Sequence, residues 1–455
     1  MAAPMKPTAK PFLVLADAFR AGHDSPSALL GRCLEAIDAR EMELQVFTAI
    51  NREGAKAAAE ASSKRWREGK PLSPVDGMPI GVKDVIETRD MPTQMGSALF
   101  AGHSTGFDSA SVRALREAGA VIVGKTVTTE FAATEPGPTC NPWDIKRTPG
   151  GSSSGSAAGV AAGYFCAALG TQVVGSILRP ASYCGVFGMK PSIGAINRGG
   201  SMDHMSQSAQ GVLSATMADG WAVLRAIADR AGGDPGYPGL VGPASAPAVS
   251  KPRALGLLET TGWAETGDGV KAQLGGAADR LREAGVKVLT RRDSVEIEAA
   301  EVALQRAMLL TRKINAWESR WPLNTFSDRD ASKLSQTMRD RLKEAEALTL
   351  EEYRANIAER DKVREIYARL ASVVDGSITL SALAEAPVGI KSTGNPIYVV
   401  PGTLLGVPVA SLPVLSSNGL PLGLQVIGYR DKDAELMATA AAIEAILGTG
   451  MAVRA

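Results

Sequence analysis

A chain of 455 residues with 45% hydrophobic and 21% charged residues can bury a large core and has the balance of a globular protein. Its 49 basic and 48 acidic residues leave a net charge of +1, so it lacks the electrostatic footprint that nucleic acid or an anionic membrane would need. The four cysteines, Cys33, Cys140, Cys166 and Cys184, form no Cys-x-x-Cys pair, and the chain reads as a cytoplasmic protein.

Taken in order, residues 1–22 show no long apolar core followed by a small-residue cleavage site, and read as mature protein rather than a signal peptide. Residues 10–70 read as amphipathic helices, among them "SALLGRCLEAIDARE" and "EGAKAAAEASSKRWREG". "MPIGVKDV" is a short apolar strand ending at Lys83 and Asp84. "SASVRALREAGAVIVGKT" gives a helix, a glycine stop and a β-branched strand, and "AADRLREAGVKVLT" repeats that cadence. Helix and strand alternating in this way predict an α/β architecture with a substantial parallel component. Gly119 to Thr126 also matches the phosphate-loop pattern G-x-x-x-x-G-K-[ST] letter for letter. It follows a helix, however, and its middle is Ala-Val-Ile-Val, which is strand rather than phosphate cradle. Residues 291–370 are the most charged section and read as solvated surface helices, with a cap over a cleft as the alternative. "PVASLPVLSSNGLPLGLQVIG" reads as a hairpin turning at Asn418-Gly419, and "DAELMATAAAIEAILG" as a closing helix.

From Gly150 to Leu178 the chain runs 29 residues without a charge. A membrane span fails, because the apolar part, Ala157 to Gly170, falls short of the roughly 20 residues a span needs. A flexible linker fails as well: Gly155, Gly159 and Gly163 recur once per helical turn, which suits a helix pressed on a neighbour. Ser152, Ser153 and Ser154 therefore sit in a glycine loop at the start of a buried helix. "GSSSG" matches the nucleophile elbow G-x-S-x-G with Ser153 in the nucleophile place, but no strand precedes it and only His204 follows it. His23, His103 and His204 are the only histidines, and none has a second ligand at metal-binding spacing. A serine nucleophile here needs another base, and a buried lysine is the next candidate. Lys83, at an apolar strand end, is where one is sought.

The segment "GGSSSGSAAGVAAG…LGTQVVGSILRPASYCGVFGMKPS", with "DGMPIGVKD", "GAVIVGKTVTTEFA", "NPWD…TPGGSSSGS" and "GLPLGLQVIG", resembles the amidase signature family of Ser–Ser–Lys hydrolases over about residues 25–447. The resemblance implies one large α/β domain with a central mixed β-sheet flanked by helices. It implies Lys83 as base, Ser152 as the bridging serine in a cis peptide, and Ser176 as the nucleophile, 24 residues beyond Ser152. The oxyanion would be held by backbone N–H groups of Val173, Val174, Gly175 and Ser176. Arg179, Glu130 and Ser153 are further candidates for substrate binding. For Arg179 the alternatives are a grip on a substrate carboxylate and a structural tie to backbone carbonyls. No cofactor and no metal is expected.

The chain departs from the family pattern at three places: Gln172 stands where Asp is usual, Val174 where Gly or Ala is usual, and Leu178 where Arg is usual. The branched Val174 is expected to narrow the loop and shrink the acyl pocket. Four stretches are expected: a helical part at 1–70 packed on the core, the catalytic core at 71–230, an α/β part with the charged helices at 231–375, and strands, hairpin and helix at 376–455 completing the same domain. The expected partner is a small-molecule amide, with no nucleic acid and no membrane; a homodimer is compatible with this. Two other readings are an amide-transfer subunit of a tRNA-dependent amidotransferase and a catalytically silent binding protein.

Overall fold

Short apolar runs punctuated by Gly, Pro and Asn become eleven strands in the computed structural model, which describes residues 7–202 and 204–448. The reading of the first residues as mature protein, and the outer ends of the first and last stretches, fall partly outside the described residues. In chain order the strands are β1 Phe47–Ile50, β2 Pro79–Lys83, β3 Val121–Thr126, β4 Ala167–Gln172, β5 Phe187–Lys190, β6 Ala209–Ser214, β7 Ala254–Leu257, β8 Lys287–Leu289, β9 Ser377–Leu380, β10 Val409–Ser417 and β11 Leu420–Ile427. They form one sheet in the order β1-β3-β2-β4-β6-β5-β10-β11-β9-β7-β8. β2 runs parallel to β3 and to β4, and β7 runs parallel to β8 and β9, while the strands between these two wings are antiparallel. Fourteen α-helices among the described residues flank the sheet, so the mixed sheet with a parallel component stands. Every residue of β2, β3 and β4 is buried, as parallel strands covered on both faces must be.

The phosphate-loop lookalike is β3. Its Lys125 is buried and spends its charge on Asp84 at 2.9 Å, with Thr93 Oγ1 accepting at 2.6 Å. The hairpin turns where expected, with Asn418 and Gly419 at φ 49° and 77°, the pair of positive values a type I′ turn demands. Residues 10–70 contain the expected helices, Pro26–Leu44 and Arg52–Arg67, but also β1, which the helical pattern does not show. All four residues of β1 are only half-buried at the sheet edge, so they lack the alternation that marks a strand.

The uncharged stretch forms the helix Ser154–Ala161, all eight residues of it buried. A Cβ on Gly155 would lie 2.3 Å from the Val46 carbonyl oxygen, and one on Gly159 would lie 2.2 Å from Phe165 Cζ. Close approach is therefore what those two glycines provide. Gly163 differs: it lies beyond the helix at φ +72°, so only two of the three spaced glycines share the packed face.

The charged section folds as four helices, Val295–Leu304, Ala307–Asp330, Gln336–Ala347 and Leu350–Ala368. Their outer sides carry exposed ion pairs such as Arg306–Glu359 and Arg312–Glu344. Their inner sides bury Leu310, Ile314 and Val363 against Val399 and Val400. The helix Ala307–Asp330 breaks at Trp321 (ψ 127°), the residue before Pro322, where a proline forces its predecessor out of helical conformation. No helix among the described residues is long and apolar enough to cross a membrane.

Candidate active site

β2 and β4 run parallel with Val82 beside Leu169, so their carboxyl ends bring Lys83 next to Thr171. Ends of this kind are where open α/β sheets place their sites. Lys83 is fully buried, and its Nζ donates to Ser152 Oγ at 2.7 Å, to Thr171 Oγ1 at 2.8 Å and to the Thr171 carbonyl at 3.3 Å. A buried amine survives folding only with such partners. Ser152 follows Gly151 through a cis peptide bond. Ser176 lies on the turn between β4 and the helix Leu178–Cys184, and its carbonyl accepts from the Ser153 N–H at 3.2 Å. That bond stitches the two loops together, and Ser152 and Ser176 face one cavity.

The loop leaving β4 is braced by Gln172. Its Oε1 accepts from the N–H groups of Ile177 at 2.9 Å and Leu178 at 3.0 Å, and its Nε2 donates to Thr403 Oγ1 at 2.9 Å. Thr403 in turn donates to the Val174 carbonyl at 2.9 Å. The single amide oxygen of Gln172 thus accepts both N–H groups with its two lone pairs, and the apolar Leu178 leaves no charge there to balance. Among the described residues the backbone N–H groups of Val174, Gly175 and Ser176 are paired with no acceptor. Val174 is partly buried against the cluster that contains Leu178 and Val399, and Val173 is among the residues that line the cavity.

The three further candidates lie behind the cavity wall. Arg179 is buried, and its Nη2 donates to the Gly151 carbonyl at 2.8 Å and to Thr393 Oγ1 at 2.9 Å. Burial pulls its pKa down to about 10, which leaves it charged at neutral pH. Ser153 Oγ donates to the Thr171 carbonyl at 3.4 Å. Glu130 accepts from Ser97 Oγ at 3.1 Å and from the Ser335 N–H at 3.3 Å. Ser335 caps the helix Gln336–Ala347, so this carboxylate fastens that helix to the core.

The cavity encloses about 610 Å³ of atom-free space, part of it open to solvent. Val85, Phe131, Met202, Met205, Leu323 and Met338 make it apolar; Ser152, Thr171, Ser176, His204, Ser319 and Arg341 supply its polar groups. Several of these carry no signal in the sequence, because they come from the charged helices and from a loop without a motif. His204 reaches the cavity rim, but its ring nitrogens lie 3.0 Å from the Met202 carbonyl and 3.3 Å from the Glu318 carbonyl. Neither contact is to a serine, and the side chain that touches Ser152 is Lys83.

The sheet thus places a buried lysine against one loop serine, and that serine and a second one face a common cavity. The chain belongs to the amidase signature family: the family described as Amidase matches residues 28–437. It is 32% identical over 469 aligned positions to a glutamyl-tRNA(Gln) amidotransferase subunit from Anaeromyxobacter sp. (strain K), covering 93% of each chain. Among solved structures, one described as an amidase superposes with a TM-score of 0.84 at 26% identity, covering 96% of this chain and 100% of that one. The native peptide amidase of Stenotrophomonas maltophilia gives a TM-score of 0.75 at 26% identity, covering 97% of each.

Proposed function

We propose that this chain hydrolyses a small linear amide to a carboxylate and ammonia or an amine, through an acyl-enzyme on Ser176. The observation that carries this reading is Lys83 Nζ lying 2.7 Å from Ser152 Oγ, at the cavity that Ser176 also faces. In the neutral amine, the Lys83 lone pair takes the Ser152 proton while Ser152 takes that of Ser176, whose oxygen bonds to the amide carbon. The carbonyl oxygen becomes an oxyanion, and the backbone N–H groups of Val173, Val174, Gly175 and Ser176 would hold it. As the C–N bond breaks, the proton returns through Ser152 to the departing nitrogen, since an amide anion leaves poorly. Water then attacks the ester, releasing the carboxylate and restoring the Ser176 hydroxyl. The four cysteines are free thiols, which fits a cytoplasmic setting.

The test is ammonia or amine release from a panel of aliphatic, aromatic and acidic amides, together with labelling by a fluorophosphonate. The expected result is turnover of at least one class and a single label on Ser176. Absence of both would leave a silent binding protein. A second reading is favoured by the 32% identity to a glutamyl-tRNA(Gln) amidotransferase subunit over 93% of the chain: the same chemistry would serve as the ammonia-releasing half of a complex. Stable protein partners in a pull-down, and ammonia passed to acyl-tRNA instead of into solution, would select it.

Arg179 supports this site from behind. Arg179→Leu orphans the buried Gly151 carbonyl next to Ser152, at a cost of about 1–3 kcal/mol. A lower melting temperature is expected, with the same fractional rate loss on neutral and carboxylate-bearing amides. Selective loss on the acidic substrate would instead give Arg179 the grip on a carboxylate.

A further inference from the structure

We infer that Asn315 is a positioning residue for the loop proposed to hold the oxyanion, a reading that rests on the hydrolysis proposed for this cavity. Asn315 stands on the helix Ala307–Asp330 and is buried. Its Nδ2 donates to the Val173 carbonyl at 3.3 Å, and its Oδ1 accepts from Gln207 Nε2 at 3.1 Å. Around it the helix is apolar, with Leu310 and Ile314 in one cluster with Val399 and Val400. A buried amide costs stability unless both its ends are bonded. Here one end is spent on the loop that carries Ser176.

What that bond fixes is the direction of a peptide. The link from Val173 to Val174 is trans, so the Val174 N–H points opposite the Val173 carbonyl. The neighbouring carbonyls are tied as well. Gln172 accepts from Ser208 Oγ at 3.3 Å, Val174 from Thr403 Oγ1 at 2.9 Å, and Gly175 from the Arg179 N–H at 3.1 Å. Each tied carbonyl sets the N–H of the residue after it. Asn315 brings its tie from the charged helices, and one turn further on the same helix gives Ser319, Pro322 and Leu323 to the cavity wall. Without that tie the 173–174 peptide can rotate and turn its oxygen, rather than its N–H, toward the developing negative charge. The helix that walls the substrate space thus also holds one of the donors.

The experiment uses Asn315→Leu, which keeps the volume and removes the donor. On an amide the wild type turns over, kcat is expected to fall about 10- to 100-fold. KM should change little, because the donor acts on charge that develops only in the transition state. A trifluoromethyl ketone reads the same donor. The Ser176 oxygen bonds to the ketone carbon, the hydroxyl proton passes through Ser152 to Lys83, and the ketone oxygen becomes the anion. Its inhibition constant is expected to rise by the factor lost from kcat. Thr311→Val, one turn earlier on the helix, is the control, since the buried Thr311 hydroxyl has no partner among the described residues. Equal losses in both variants would assign the effect to helix packing and overturn the inference. Should Asn315→Leu not fold, Asn315→Ser, too short to reach Val173, carries the same expectation. Unchanged kcat and ketone affinity in the folded variant, beside amide turnover by the wild type, would overturn the inference and keep hydrolysis. A wild type inert toward every amide and the ketone would discard hydrolysis. Faster hydrogen exchange over residues 172–178 in Asn315→Leu would then keep the tie, and unchanged exchange would discard it too.

Discussion

Ser176→Ala is expected to abolish amide turnover, a fall of about 10⁴-fold or more in kcat, with no change in melting temperature. Only the hydroxyl is lost. The loop keeps its bond from the Ser153 N–H to the Ser176 carbonyl and its brace from Gln172 to Ile177 and Leu178. The Ser176 side chain faces a cavity, so removing its oxygen leaves no packed volume empty. Ser153→Ala is the matched control, because Ser153 Oγ makes a long 3.4 Å contact to the Thr171 carbonyl, and most activity should remain. The two variants separate the relay from the nucleophile elbow that "GSSSG" spells. A Ser176→Ala protein retaining more than a few per cent of activity, beside a dead Ser153→Ala protein, would move the acyl-enzyme to Ser153.

Position and contact are legible to different degrees. The glycine loop holding Ser152 and the apolar strand end at Lys83 are local patterns, whereas Ser176 and its interval from Ser152 come from the resemblance to the amidase signature family; the structure brings Lys83 against Ser152. The reason they meet is not local. It is the parallel pairing of β2 with β4 across the helix Ser154–Ala161, and a single sequence does not encode pairing partners openly. The same limit explains Arg341. Its helix reads as a solvated, charged surface element, and only packing buries Met338, Leu342 and Ala345 and brings Met338 and Arg341 to the cavity. Glu130 and Arg179 draw attention by their charge near the motifs. Yet Glu130 fastens a helix and Arg179 ties a carbonyl, because helical segments as short as these carry too few residues for a periodic signal of side-chain direction. The departures at 172 and 178 make sense only together. An amide oxygen with two lone pairs stands where the family pattern has a carboxylate, and the side chain at 178 is apolar, so the brace forms with no charge at either position.

Lys83→Ala is expected to lower kcat by about 10²- to 10⁴-fold, the range a positioned general base supplies. Because Lys83 is fully buried, alanine also opens a void, so Lys83→Met is the better measure: it keeps the volume and removes only the nitrogen. Both variants strip Ser152 Oγ and Thr171 Oγ1 of a donor, and a stability loss shared by the two would belong to that. A catalytic loss in folded Lys83→Met protein would not. The pH profile tests the same step independently. An ammonium has three donors and no acceptor, so at low pH Lys83 has no lone pair for the Ser152 proton and the relay cannot begin. Raising the pH frees that lone pair, and the wild-type rate should climb from acid toward alkaline conditions before levelling. A Lys83→Met protein should lose that climb along with the rate, since no titrating amine remains at Ser152. A wild-type profile flat from mildly acidic to alkaline pH, with the chemical step rate-limiting, would mean that the proton leaves Ser176 by some route other than Lys83.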